Sequence, residues 1–268
     1  MSRKLYDLHS HTTFSDGSEM AAMVAAAAET ACDGIGLSDH CILIEDDFGR
    51  RSQYDLVSTY ELRRERIDEL RRTFDIEIFD AVEMSYVPGI DAETRSFLEE
   101  ANFDYSIGAV HFAGDHEYTS GARYADADDE TIGEAVDAYY ETLTQLIDSE
   151  LFDVVAHLDL PERHAVFRGR TTEAHYRMIA DALVESRTVP EINAGRAFRS
   201  LGHVHPDPAV LEIFTDRDIE FVLGSDSHKP DEITRRVPHL REFVKERELS
   251  VRSLDTLVPK MEVETRSA

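Results

Sequence analysis

Short apolar runs alternate with longer amphipathic stretches along this chain. The runs at 4–9, 34–39, 76–83, 105–111, 153–158, 189–193 and 220–225 are rich in Val, Ile, Leu and Phe. Segments such as VVAHL and EFVLG are continuously apolar, as strands buried on both faces are. Helical periodicity fills the intervals: Ser18–Ala31, 55–73, 91–101, 131–149, 172–186, 207–216 and 230–246. Ser18 stands where it would cap the first helix, and Pro208 and Pro230 suit first-turn positions. The Glu- and Arg-dense stretch 55–73 predicts a solvated face anchored by Leu56, Leu62, Ile67 and Leu70. Seven strand–helix pairs without a repeat or linker predict one α/β domain, a parallel barrel rather than two domains. Its core is expected at about 4–246, with a C-terminal tail at 247–268.

The residues that close each apolar run carry the chemistry. The first run ends in His9 and His11, which two-residue spacing puts on one face of a strand, and Asp16 follows after a polar turn. Later runs end in Asp39 and His40, in Glu83, in His111, in His157 and Asp159, in Glu191 and Asn193, and in Asp226 and His228. In a barrel these ends meet on the rim where active sites are built. A lone histidine after an apolar run is ordinarily a packed core residue, and Asp226 and His228 could cap the helix that begins at Pro230. Asp39 and Asp159 are expected to cap helices. Such ordinary explanations would have to hold independently at six strand ends, so the reading adopted is a shared metal site. His116, His164, His175, His203, His205 and His239 fall in loops or helices and are expected at the surface or in packing.

Composition narrows the setting. The 268 residues include 55 acidic against 28 basic side chains, a formal net charge of −27, and the only lysines are Lys4, Lys229, Lys245 and Lys260. Such a charge repels polyanions, which disfavours nucleic acid as a partner. Acid-rich, lysine-poor composition resembles that of halophilic proteins working in molar salt, where screening acts over about 3 Å. No apolar run approaches the roughly 20 residues that span a bilayer, and Arg3, Lys4 and Asp7 interrupt any signal-like N-terminus. With Cys32 and Cys41 the only cysteines, neither a disulfide framework nor a thiolate zinc site is expected. A cytoplasmic enzyme with no membrane partner fits.

His9-x-His11, Asp16, Ser-Asp-His40, Glu83, His111, His157 and Gly-Ser-Asp226-Ser-His228 resemble, in this order, the polymerase and histidinol phosphatase (PHP) family of metallophosphoesterases. The resemblance runs from about residue 4 to 230 and implies a distorted (β/α)7 TIM-like barrel. It also implies two or three divalent ions: one held by His9, His11, Glu83 and Asp226, a second bridged by Glu83 to His111 and His157, and a third on Asp16, His40 and His228. Imidazole mixed with carboxylate suits zinc, iron or manganese. A metal-bridging hydroxide held near Glu83, Asp226 and His228 would then attack phosphorus directly. No nucleophilic Ser or Cys motif suggests a covalent intermediate.

Within the family, FDVVAHLDLPERH and EINAGRAFRSLG are similar to segments of stand-alone histidinol phosphatases. Arg163 and Arg199 match basic residues that this branch uses near phosphate, with Arg196 a further candidate, and a planar guanidinium grips phosphate at two points. Asn193 would orient the substrate or a ligand. The implied activity is hydrolysis of a small phosphorylated substrate, histidinol phosphate, in histidine biosynthesis. Two alternatives stand beside it: a phosphodiesterase or exonuclease acting on nucleotides or short oligonucleotides, and a non-catalytic metal-binding module. The motif FSDGS, with Asp16 where many histidinol phosphatases carry a further histidine, is common in the wider family. No basic, aromatic stripe supports the oligonucleotide role.

Overall fold

The computed structural model describes residues 4–44, 56–252 and 257. Its strands are β1 (Tyr6–Asp7), β2 (Gly34–Leu37), β3 (His40–Cys41), β4 (Glu77–Ser85), β5 (Tyr105–Ala109), β6 (Phe112–Ala113), β7 (His116–Glu117), β8 (Val154–Val155), β9 (Val189–Asn193) and β10 (Val222–Gly224). The parallel order is β1-β2-β4-β5-β8-β9-β10, with β3 added beside β4, and β6 and β7 form a separate antiparallel hairpin. Beyond β10, His9 and His11 complete the ring. The Asp226 N–H donates to the His9 carbonyl at 2.8 Å and the His11 N–H to the Ser227 carbonyl at 2.9 Å. The expected seven-stranded, single-domain barrel is therefore present, and all seven predicted runs contain a strand.

Helices α1 (Met20–Glu29), α2 (Leu56–Arg71), α3 (Asp91–Ala101), α4 (Asp129–Asp148), α5 (Glu173–Val184), α6 (Leu211–Thr215) and α7 (Pro230–Glu246) surround it. Pro208 and Pro230 occupy first-turn positions as expected, although 207–216 divides into a 3-10 turn at Pro208–Val210 and the short α6. Glu19, not Ser18, caps α1, because the Ser18 hydroxyl donates to the His228 carbonyl instead. On α2, Leu56 and Ile67 are buried as anchors, whereas Leu62 is 49% exposed. Arg63, one residue on and 100° round the helix, takes the inward position, because two carboxylates await it beneath. Residue 55 of that predicted helix lies outside the described residues. Most of the predicted tail does too, but Ser250 and Arg252 pair with Phe221, and Leu257 is buried against the barrel interior.

Strand periodicity decides what reaches the rim. On β4, Ala81 belongs to the interior cluster with Tyr105, Ile107 and Ala109 of β5, while Val82 and Met84 face the outer helices. Glu83, two residues past Ala81, continues the interior row and stands in register with Ile107 and His40. Among the described residues no helix is long and apolar enough to cross a membrane.

Candidate metal centre

Nine side chains singled out by the strand-end pattern converge at one end of the barrel: His9, His11, Asp16, His40, Glu83, His111, His157, Asp226 and His228. Glu83 is central. Its Oε2 lies 2.5 Å from His40 Nδ1, 3.5 Å from His9 Nε2 and 3.7 Å from His11 Nε2, and its Oε1 lies 3.1 Å from His157 Nε2 and 3.5 Å from His111 Nε2. Asp226 Oδ1 approaches His11 Nε2 at 3.4 Å, and Asp16 Oδ1 approaches His228 Nε2 at 3.2 Å. Three groups have donor atoms close enough to share an ion: His9, His11 and Asp226; His40, Glu83 and His111; and His11, Asp16, His40 and His228. His40 thus stands between Glu83 and Asp16, where the resemblance places it with Asp16 and His228 alone.

The donor set suits divalent cations. His9 Nε2 and His11 Nε2 are buried and have no hydrogen-bond partner, which is costly for polar atoms unless a cation takes their lone pairs. Burial holds His11 down to about 3 and His111 to about 4, so both imidazoles are neutral at ordinary pH, the form that can donate a lone pair to a cation. Burial also opposes charge on Glu83 and Asp226, but the surrounding histidines outweigh it and keep both carboxyls well below their usual range. For His9, burial is likewise overcome, by Glu191 and Glu83, and its pKa rises well above the usual value.

Residues behind the donors fix their orientation. Glu191 Oε1 lies 2.8 Å from His9 Nδ1, while its Oε2 accepts the His157 N–H at 3.1 Å and Asn193 Nδ2 at 2.9 Å. Ser85 Oγ lies 2.8 Å from His111 Nδ1. Partners of this kind set the tautomer and aim of a ligand. Gly224 makes room for Glu191, since a Cβ there would fall 1.6 Å from Glu191 Oε1. His157 and Asp226 hold φ at 23° and 50°, a left-handed strain that turns each side chain into the mouth. Asp7, to which the sequence pattern assigns no part in the site, accepts both the N–H and hydroxyl of Ser225 and so ties β1 to β10 beneath the site.

Several expectations change. Asp39 caps no helix: its carboxylate accepts from Thr12 N, Thr12 Oγ1, Ser15 Oγ and Arg63 Nε, anchoring the turn that leads to Asp16. Asp159 precedes a 3-10 turn without a side-chain cap; it takes His205 Nδ1 at 2.5 Å, Tyr176 Oη and Asp207 N. His205 is accordingly buried in the interior. Asn193 is fully buried behind the donors, with Nδ2 directed at Glu191 and Asp226. Strand period places Glu191 on the same face as Asn193, a signal that could have assigned its role.

Above the donors opens a cavity of about 490 Å³, whose lining includes Arg163, Arg196, Arg199 and Arg236. Arg163 donates to the Thr119 carbonyl at 2.5 Å; burial and then the neighbouring Arg196 pull it down to about 10, still charged at neutral pH. Arg199 is half exposed and pairs with Glu232 at 3.0 Å.

The PHP domain family matches residues 7–195. A protein of Deinococcus radiodurans named "Probable histidinol-phosphatase" is 28% identical over 153 residues, 57% of this chain and 58% of that protein. A protein of Thermotoga maritima with the same name is 25% identical over 246 residues, 90% of this chain and 91% of that one. The chain therefore spans less than two thirds of the first relative and nearly all of the second. Among solved structures, histidinol phosphate phosphatase from Lactococcus lactis subsp. lactis, complexed with zinc, L-histidinol and phosphate, superposes with a TM-score of 0.74. It is 21% identical, and the match covers 95% of this chain and 98% of that one.

Proposed function

The chain belongs to the PHP domain family, and from that membership we propose that it is a metal-dependent phosphoric monoester hydrolase whose substrate is histidinol phosphate. The observation that carries this reading is one cavity lined both by seven of the nine candidate metal donors, Asp16, His40, Glu83, His111, His157, Asp226 and His228, and by a group of arginines. The names of the two relatives, and the zinc, histidinol and phosphate of the Lactococcus structure, point the same way.

His9, His11, Glu83 and Asp226 would hold one ion, His111 and His157 a second through Glu83, and Asp16, His40 and His228 a third. When bound, such ions lower the pKa of water and neutralise phosphate oxygens and the departing alkoxide. Arg163 and Arg199, with Arg196 also in the cavity lining, would bind and orient the phosphate. Thr119 fixes the aim of Arg163, and Glu232 that of Arg199. Asn193 and Glu191 keep Asp226, His9 and His157 pointed into the mouth. The cavity suits a small phosphate ester, and the net charge of −27 discourages oligonucleotides.

Histidinol phosphate and a short oligonucleotide, offered side by side to the manganese- or zinc-loaded protein, separate the readings. The expected result is phosphate release from histidinol phosphate with kcat/KM in the ordinary enzymatic range of about 10⁴ M⁻¹s⁻¹ or more, and negligible cleavage of the oligonucleotide. Rapid oligonucleotide cleavage with no release from histidinol phosphate would replace this function with the phosphodiesterase one.

A further inference from the structure

Guanidiniums that grip one phosphate must stand near one another before it arrives, and they repel each other while it is absent. Arg163 and Arg196 both line the cavity, and burial and then the charge of Arg196 lower the pKa of Arg163. They come from different segments of chain. Arg163 ends the 3-10 turn Leu160–Arg163 after β8, whereas Arg196 and Arg199 lie in the loop that follows β9. The two segments must be held together against that repulsion.

Both ends of the loop return to Asn193. Its Oδ1 accepts the Gly195 N–H at 2.8 Å, and its backbone N–H and carbonyl pair with those of His205, each at 2.8 Å. The His205 pairing is an isolated bridge, and two neutral hydrogen bonds are a weak closure for the intervening chain. The His205 side chain adds a stronger one. Its Nδ1 lies 2.5 Å from Asp159 Oδ1, and a carboxylate only accepts, so the imidazole donates. Asp159 Oδ2 takes the Asp207 N–H and the Tyr176 hydroxyl, each at 2.8 Å. Asp159, His205 and Tyr176 are all buried, so water does not compete for these bonds. Asp159 also begins the turn that delivers Arg163, since its carbonyl accepts the Glu162 N–H at 3.0 Å. One residue therefore joins the two arginine-bearing segments. Arg168 reaches across as well, to Ser200 Oγ, but at 3.5 Å and on the surface.

We propose that Asp159 and His205 are positioning residues whose buried pair holds the loop of Arg196 and Arg199 against the segment of Arg163, and so preassembles the phosphate site. The inference rests on the phosphate-binding role of these arginines and goes beyond it. The test measures binding of inorganic phosphate to the zinc-loaded protein by calorimetry. His205→Phe, which removes the donor, should weaken binding about 10–100-fold, the worth of one charge-assisted hydrogen bond from a displaced arginine, with bound zinc unchanged. His205→Asn, whose amide N–H can stand where Nδ1–H stood, should restore most of the loss. In an Arg196→Ala/Arg199→Ala background His205→Phe should have no further effect, because the loop then carries no arginine to position. Should His205→Phe not fold, Asp159→Asn is read against the same expectations, rescue aside. Unchanged phosphate binding, an equal weakening in both backgrounds, no restoration by His205→Asn, or a loss of zinc would overturn the positioning role. Wild type that binds phosphate but leaves histidinol phosphate intact would overturn the substrate reading alone. Wild type that binds no phosphate would overturn both.

Discussion

Glu83→Gln is expected to lower kcat for histidinol phosphate about 10³-fold, equivalent to about 4 kcal/mol of lost transition-state stabilisation, while the folded circular-dichroism spectrum persists. One carboxylate here approaches five imidazoles, on His9, His11, His40, His111 and His157. The amide keeps the shape but exchanges one anionic oxygen for an NH₂ that cannot donate a lone pair to a cation. Both ions that Glu83 would bridge are therefore weakened together. The side chain also sits on the interior row of β4 rather than between packed helices, so its loss leaves the hydrophobic clusters intact. Steady-state kinetics at saturating metal checks this. Activity within tenfold of wild type would remove Glu83 from the centre of the site.

The largest effect on stability should come from Arg63→Met. Arg63 is fully buried on α2 and binds Asp39, Asp80 and the carbonyls of Leu37 and Ala81. Removing one side of a buried charge pair leaves the other uncompensated, which costs about 3–5 kcal/mol, readable from denaturant unfolding of metal-free protein. The pH dependence has a definite sign. Burial opposes ionisation of Asp39, but Arg63 outweighs it and lowers the pKa of the carboxyl in the folded state. Its contribution is thus complete above the unfolded value of about 3.9 and lost as pH falls through the folded value. In the variant, burial dominates and raises the carboxyl pKa, so the stability gap between the two proteins should narrow as pH falls, first through that raised value and then, as the wild type loses its own contribution, below about pH 4. A loss under 1 kcal/mol at pH 7 would show that the pair is dispensable. Because Asp39 also holds Thr12 and Ser15, the substitution should loosen the turn that presents Asp16.

Much of this architecture was legible because two periodicities coincide in a barrel. Apolar runs mark the strands, and the residue that ends each run lies on the same rim. His9, His11, Glu83, His111 and Asp226 could therefore be grouped without knowing any contact. Patterning tells which face a residue occupies but not which distant residue it meets there. Asp159 with His205 and Asp39 with Arg63 are pairs of that kind, and the sequence around each carboxylate suggests only a local cap because the partner lies far along the chain. Apolar spacing on α2 turns Leu62 inward, because it expects a hydrophobic residue at the buried position. Here an ion pair reverses the order by one position. Glu191 was visible at its strand end, but its duty depends on His9 and His157 arriving from other strands.

The most direct measurement is the metal content of protein purified without chelators, taken together with phosphate release from histidinol phosphate before and after chelation. A site of this kind should hold roughly two or three divalent ions per chain, lose activity when they are stripped, and regain it on adding manganese or zinc. A stripped protein that hydrolyses histidinol phosphate at its full rate would contradict the metal centre on which the proposed chemistry depends.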